Sequence, residues 1–210
     1  MKRICYIVGA VVTSCKIKPA EGDYIIAADA GYKHLISAGI EPDLTVGDFD
    51  SLNEEPKGGI VLRYSEKKDE TDTLLAVKIG LDKGYNTFLI YGCLGGRADH
   101  TIANIQTLAY IANSGGRGYL IGSGENITVI SNATLRFRKR SSGIVSVFAY
   151  GGKARGVTID GLAYSLSEAQ LSEDYPLGVS NEFIGKPASI SVTEGNLAIY
   201  WTGDFDAVVI

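Results

Sequence analysis

The stretch that decides the fold is residues 87–100, which read TFLIYGCLGGRADH. Its first five residues are mainly apolar, and a glycine-rich turn follows them directly. Beyond the turn, four apolar residues recur at helical spacing: Ile102, Ile105, Ala109 and Ala112. The stretch therefore predicts a buried strand, a tight turn and an amphipathic helix, which together form the repeating unit of a wound α/β sheet.

The same alternation extends along the chain up to about residue 122. A second helix is predicted over residues 72–83, where Gly84 follows as a C-terminal cap. Further short apolar runs predict strands, and their nearly continuous apolar character is typical of parallel strands that are covered on both faces. These runs are residues 4–8, 24–28, 44–46, 60–63 and 118–121.

Beyond about residue 125 the pattern changes to short segments rich in β-branched residues, most of them separated by Gly, Ser and Asn turns. This pattern is typical of an antiparallel β-sandwich. The segments are residues 127–130, 135–138, 144–149, 157–159, 188–192 and 197–201. We therefore predict an α/β domain at 1–124, with a wound, mostly parallel sheet and helices, and an antiparallel β-sandwich domain at 125–210.

Composition narrows the class of protein. The 210 residues carry 20 Lys+Arg against 24 Asp+Glu, and this mild acidity argues against nonspecific binding of nucleic acid. No membrane partner is expected, because the apolar runs are too short to cross a bilayer. Three cysteines without metal-site spacing suggest reduced thiols in a cytoplasmic protein. Residues 1–15 also resemble a lipoprotein signal ending at Cys15, but a first buried strand is the favoured interpretation.

Acidic, glycine-rich loops follow four of the predicted strands, at residues 28–31, 47–51, 68–72 and 92–100. Ligands of open α/β sheets bind at the carboxyl ends of the strands, so these loops are expected to meet at one edge. Their aspartates would repel one another unless a cation joined them, and the simplest candidate is Mg²⁺ held together with substrate phosphates. The alternative for any one aspartate is the cap of a turn. The set is Asp29, Asp48, Asp50, Asp69, Asp72 and Asp99.

The Gly95-Gly96-Arg97 segment suits a phosphate. Two glycines allow close backbone approach, the following helix offers free N–H groups, and an arginine can bind phosphate oxygens in a bidentate manner. The segment is neither a Walker loop nor a dinucleotide fingerprint, and an ordinary tight turn with a solvated Arg97 is the alternative. His100 is a candidate for a phosphate contact or a simple cap, whereas His34 is expected to be incidental.

In combination these motifs resemble those of the thiamine pyrophosphokinase (thiamine diphosphokinase) family along the whole chain. The second half contributes Gly151-Gly152-Lys153, Gly156-Val157-Thr158, Gly161-Leu162 and residues 178–183. One departure is Ala30, at a position where glycine is common. The resemblance implies an ATP-binding α/β domain, a β-sandwich domain that helps to bind thiamine, and a homodimer. The active site would lie between the first domain of one subunit and the second domain of the other.

The resemblance also implies roles for individual residues. Metal and diphosphate ligands fall on Asp48, Asp50 and Asp72, and these three with Arg97 are the predicted catalytic set. Nucleotide contacts fall on Asp29, Lys68, Thr71, Arg97 and Asp99, to which His100 is added. Substrate contacts fall on Ser180, Asn181 and Trp201, although Tyr200 can take the place of Trp201, and burial of Trp201 in the core is the alternative.

The expected reaction is attack of the thiamine hydroxyethyl oxygen on the β-phosphorus of ATP, which gives thiamine diphosphate and AMP. Mg²⁺ would neutralise phosphate charge, and Arg97 would stabilise charge developing on AMP. Asp72 would orient or deprotonate the attacking hydroxyl, or only bind metal. Two alternatives stay open. One is a Mg²⁺-dependent diphosphokinase for a related heterocyclic alcohol, and the other is a noncatalytic sensor of thiamine or nucleotide.

Overall fold

A computed structural model describes residues 3–11, 17–49, 56–64 and 69–210 of the chain. It divides into two compact units, Met1–Ser123 and Gly124–Ile210. Three sequence predictions lie outside the described residues and are not tested by the structure: Asp50, Lys68 and the alternative signal cleavage site at Cys15.

The described residues of the first unit form a six-stranded parallel sheet with the strand order β4-β3-β2-β1-β5-β6. This arrangement confirms the predicted α/β class of the first half. The strands are β1 (Cys5–Val8), β2 (Tyr24–Ala28), β3 (Leu44–Gly47), β4 (Ile60–Arg63), β5 (Thr87–Tyr91) and β6 (Arg117–Ile121). The helices are α1 (Gly31–Ser37), α2 (Asp72–Asp82) and α3 (Ala98–Asn113).

The strand order reverses beside β1, which pairs with both β2 and β5. Val8 at the end of β1 lies opposite Tyr91 at the end of β5, and the next residue, Gly9, donates its N–H to the Tyr91 carbonyl at 2.8 Å. A reversal of this kind opens a crevice at the carboxyl ends of the two strands, where open α/β sheets bind ligands.

Burial of the strands follows their place in the sheet. Every residue of β1 and β5 is buried, as predicted for parallel strands that are covered on both faces. The prediction is wrong for β4, whose Ile60 is 55% exposed, because β4 is an edge strand that pairs only with β3 among the described strands. Among the described residues, no helix combines the length and apolar character needed to cross a membrane.

The second unit is all-β and antiparallel, which confirms the predicted sandwich. Its strands are β7 (Glu125–Ser131), β8 (Thr134–Arg140), β9 (Ile144–Asp160), β10 (Leu166–Leu171), β11 (Gly178–Glu182), β12 (Lys186–Ser191) and β13 (Glu194–Thr202). The first part of β9 pairs with β13 and β11, and its last part pairs with β12 and β10. One long strand therefore belongs to both sheets.

The second unit differs from the sequence prediction in its strand count. Residues 144–149 and 157–159 are parts of the single strand β9, because Gly151 and Gly152 bend the chain at φ 71° and 136° without ending its pairing. The register against β13 shifts at this bend. Strands β10 and β11 are absent from the prediction because their sequences, LSEAQL and GVSNE, are largely polar.

Candidate active site

A cavity of about 430 Å³ lies at the carboxyl ends of the strands of the first unit. Its walls come from the segments that follow β1, β2, β3 and β5 and from the N-terminal turns of α2 and α3. The polar side chains of its lining are Asp29, Asp48, Glu70, Thr71, Asp72, Thr73, Arg97, His100 and Asn104. All four loops that the sequence predicts to converge therefore contribute residues to one cavity.

Three of the predicted aspartates, Asp29, Asp48 and Asp72, line this cavity and are half-buried. Asp29 has a left-handed backbone with φ 47°, and its N–H donates to the carbonyl of Val46 at 2.8 Å. Gly47 passes close by, since a Cβ there would lie 3.1 Å from the Cα of Asp29. Close contact between the ends of β2 and β3 thus brings the first two carboxylates to the same wall.

The carboxylates provide hard oxygen donors, the kind that Mg²⁺ prefers. Within the described residues, no three His, Cys, Asp or Glu side chains come close enough together to form a metal cluster by themselves. Mg²⁺ usually takes only one or two carboxylates and completes its shell with water and substrate phosphates. The described donor set fits that mode of binding.

The first turn of α2 forms the second wall. Thr71 caps the helix, because its Oγ1 accepts the N–H of Leu74 at 3.2 Å, and Asp72 is the first helical residue. Glu70 also lines the cavity and forms an ion pair with Lys78. Glu70 belongs to the acidic loop 68–72 but is not among the predicted site residues.

The turn between β5 and α3 forms the third wall. Arg97 lines the cavity, and its guanidinium binds Asp99 through Nε to Oδ1 at 3.1 Å and through an Nη to Oδ2 at 2.6 Å. Asp99 itself is not part of the lining, and its Oδ1 also accepts the backbone N–H of His100 at 2.9 Å. Asp99 therefore holds Arg97 in place, and the hydrogen bonds from Arg97 lower the pKa of Asp99 to about 2.

This pairing predicts a pH dependence. Because the pKa of Asp99 is depressed in the folded protein, the pair stabilises the fold above the ordinary aspartate pKa of about 3.9, and this contribution is lost as the pH falls towards 2. We expect Arg97→Gln to return the Asp99 pKa towards about 3.9. Carbon-13 NMR titration of the side-chain carboxyl measures this shift, and equal pKa values in the two proteins would contradict the pairing.

Two further residues, to which the sequence assigned no role, contact segments that line the cavity. Asn104 of α3 is 5% exposed, and its Nδ2 donates to the carbonyl oxygen of Cys93 at 2.7 Å. His34, expected to be incidental, has its Nε2 3.0 Å from the carbonyl oxygen of Ala10, in the segment 9–11 that lines the cavity. Both contacts join residues that are distant in sequence, so local patterns contain no sign of them.

The predicted substrate residues lie in the second unit. Ser180 is exposed at φ 62°, whereas Asn181 is buried and its Oδ1 accepts the N–H groups of Tyr164 at 3.0 Å and Glu182 at 2.9 Å. Trp201 has no exposed surface, and its ring lies 5.5 Å from that of Phe137 in an edge-to-face contact. The structure therefore places Trp201 in the core, which corrects the prediction of a substrate contact and leaves half-exposed Tyr200 as the alternative.

Comparison with known proteins agrees with this architecture. The family model "Thiamin pyrophosphokinase, catalytic domain" matches residues 19–119, and "Thiamin pyrophosphokinase, vitamin B1 binding domain" matches residues 132–197. The thiamine pyrophosphokinase of Bacillus subtilis (strain 168) is 29% identical over 186 residues, which cover 85% of this chain and 87% of that protein.

Solved structures show the same fold over nearly the whole chain. The crystal structure of the Bacillus subtilis thiamine pyrophosphokinase has a TM-score of 0.82 at 26% identity and covers 97% of this chain and 100% of that one. A thiamin pyrophosphokinase family protein from Enterococcus faecalis has a TM-score of 0.80 at 26% identity, with the same coverage. Both domain models match in order, and the carboxylates of the first unit meet in one cavity. The chain therefore belongs to the thiamine pyrophosphokinase family.

Proposed function

We propose that this protein transfers the diphosphate group of ATP to the hydroxyethyl oxygen of thiamine and releases AMP. The observation that supports this most directly is the composition of the cavity wall. Carboxylates that suit a cation stand beside the N-terminal turns of α2 and α3 and the guanidinium of Arg97, which suit an anion. A metal–polyphosphate complex has both kinds of charge, so ATP with a divalent cation fits this wall.

Mg²⁺ is the cation that we propose. Its ligands would be Asp48 and Asp72, which line the cavity, and Asp50, which lies outside the described residues. When bound, it would neutralise phosphate charge and orient the triphosphate. The remaining nucleotide contacts are assigned to Asp29, Thr71, Arg97 and His100, which line the cavity, and to Lys68, with Asp99 acting through Arg97.

In the proposed reaction the hydroxyethyl oxygen forms a bond to the β-phosphorus, and the bond from that phosphorus to the oxygen bridging to the α-phosphate breaks. AMP leaves with that oxygen, where Arg97 stabilises the developing negative charge. Asp72 orients the attacking hydroxyl and accepts its proton. Positioning and charge stabilisation supply most of the rate enhancement, as in other phosphoryl transfers.

The experiment that tests this function incubates the purified protein with ATP, MgCl₂ and thiamine and quantifies AMP and thiamine diphosphate together. We expect the two products in equal amounts and no reaction after addition of EDTA. Pterin and pyrimidine alcohols are tested in place of thiamine as alternative substrates. Faster AMP release with one of them would favour another diphosphokinase, and binding of both ligands without AMP would indicate a sensor.

We further propose that the protein is a homodimer and that the second unit, through Ser180, Asn181 and the neighbouring surface, contributes to thiamine binding. The support is an exposed apolar face around β11, in which Tyr164 is 69%, Tyr175 66% and Leu177 51% exposed. Asn181 ties the Tyr164 backbone to β11, and Leu177 directly precedes that strand. Large apolar side chains that are exposed near one another commonly mark an interface with another protein.

The dimer proposal makes a prediction for Leu177→Glu. Burial of a new carboxylate in an apolar interface is unfavourable, so we expect the dimer dissociation constant to rise at least about tenfold, a change of about 1.4 kcal/mol. Sedimentation velocity measures it. Ile60→Glu, at an equally exposed isoleucine of β4 in the first unit, is the matched control and should remain dimeric. A monomeric wild-type protein at micromolar concentration would contradict the proposal.

A further inference from the structure

We propose that Asn104 is a positioning residue for Arg97: its amide fixes the start of the turn that carries the guanidinium into the cavity. The inference deepens the proposed function and rests on it. Asn104 lies in the second turn of α3, is 5% exposed and lines the cavity, while Arg97 immediately precedes the helix. Nδ2 of Asn104 donates a buried hydrogen bond of 2.7 Å to the carbonyl oxygen of Cys93, and this bond links the helix to the other end of the turn.

The turn needs such a link because its own chain is permissive. Gly95 and Gly96 have φ of 85° and 69°, and nothing lies within 4 Å of the position of a Cβ on Gly95. The side-chain tie from Thr101 is weaker, since its exposed hydroxyl is 3.3 Å from the carbonyl oxygens of both Gly95 and Arg97. Two glycines between Cys93 and Arg97 would otherwise allow many placements of the guanidinium.

Cys93 is a suitable anchor because it is itself held from several sides. Its Sγ lies 3.6 Å from Oγ1 of Thr73 in α2, and a Cβ on Gly9 would come within 2.4 Å of that sulfur. Burial raises the pKa of the Cys93 thiol to about 11, so the side chain stays neutral beside the Thr73 hydroxyl. Asn104 therefore connects the turn before Arg97 to a point that is packed against the segment after β1 and against α2, both of which also line the cavity.

The test compares Asn104→Leu, which is nearly isosteric and cannot donate, with Thr107→Val. Thr107 lies on the same helix and is 3% exposed, but its hydroxyl donates to the carbonyl oxygen of Ala103 in α3 at 3.0 Å and not to the turn. We expect Asn104→Leu to lower kcat/KM for ATP by about 10- to 100-fold, as a small misplacement of a binding group does. Thr107→Val should leave it within about twofold.

A double-mutant cycle with Arg97→Ala separates positioning from a general packing role. If Asn104 acts through Arg97, Asn104→Leu should have little further effect when Arg97 is already alanine. Multiplicative effects would overturn the proposal. If the leucine variant does not fold, Asn104→Ala takes its place with the same expectations.

Amide hydrogen exchange of residues 92–97, measured without substrate, gives a readout that does not depend on activity. Exchange should accelerate there in Asn104→Leu and not in Thr107→Val, and equal protection in the two variants would overturn the proposal. If the wild-type protein forms no AMP, the proposed function fails, whereas the exchange measurement still decides whether Asn104 holds the turn.

Discussion

Asp72→Asn is expected to lower kcat for thiamine diphosphate formation by about 10²–10³-fold, the loss typical of removing one charge-stabilising group from an active site. Asparagine keeps the shape of the side chain but removes both the negative charge that a cation requires and the capacity to accept a proton. The residue is half-buried in the cavity wall at the start of α2, so the substitution alters the site rather than the core.

Folding should survive this change. A carboxylate in the first turn of a helix contributes only about 0.3–1 kcal/mol through the helix dipole, so the loss in unfolding free energy should stay within that range. Asp82→Asn, the same substitution at the exposed last residue of α2, is the matched control and should keep wild-type turnover. A coupled assay of AMP release measures kcat, and urea denaturation measures the unfolding free energy. Normal turnover in Asp72→Asn would remove this residue from the mechanism.

The second large effect concerns stability. Gly31→Ala is expected to destabilise the protein by about 3 kcal/mol or more, beyond the usual cost of an extra methyl group in a core. A Cβ at Gly31, the first residue of α1, would lie only 1.8 Å from the carbonyl oxygen of Val8 in β1. A backbone oxygen of a central strand cannot rotate away, so the helix would have to leave the sheet.

Gly115→Ala provides the control for this prediction. Gly115 has φ 77° and open space around its Cβ position, so alanine there meets only the cost of a left-handed backbone, about 1–2 kcal/mol. The unfolding free energy measured by urea denaturation should therefore be clearly lower for Gly31→Ala than for Gly115→Ala. Because Asp29 lies two residues before Gly31, we also expect weaker ATP binding in Gly31→Ala. Equal stability of the two variants would show that α1 can shift without cost.

Local sequence signals predicted the helices and strands that have a clear hydrophobic period and clear residues at their ends. The central strands β1 and β5 and the helices α2 and α3 were predicted to within a few residues, because apolar runs, helical spacing and glycine caps each act over a few neighbours. Strands β10 and β11 were missed for the converse reason. Their residues are mostly polar, and they exist because β9 offers them unpaired backbone groups.

The candidate site divides in the same way. Which residue types line the cavity was readable from four acidic or glycine-rich loops. Two facts were not readable: that Arg97 is held by Asp99 and that Asn104 reaches Cys93. For Trp201 the sequence offered both a substrate contact and burial in the core, and the structure decided for burial. The partner of Arg97 lies only two residues away, but spacing alone does not reveal which groups a flexible side chain selects.

The amino-acid sequence by itself determined the class of each half, the turns that interrupt it and the chemistry of its loops, because these depend on interactions between near neighbours. The sequence predicted that the acidic loops meet at one edge of the sheet, but only the tertiary structure decided that Asp29, Asp48 and Asp72 line the cavity and that Asp99 does not. Their meeting depends on strand order, with β1 between β2 and β5, and on backbone contacts such as that of Gly47 with Asp29. Such contacts join distant segments through packing, and no local pattern of residues encodes which segments become neighbours.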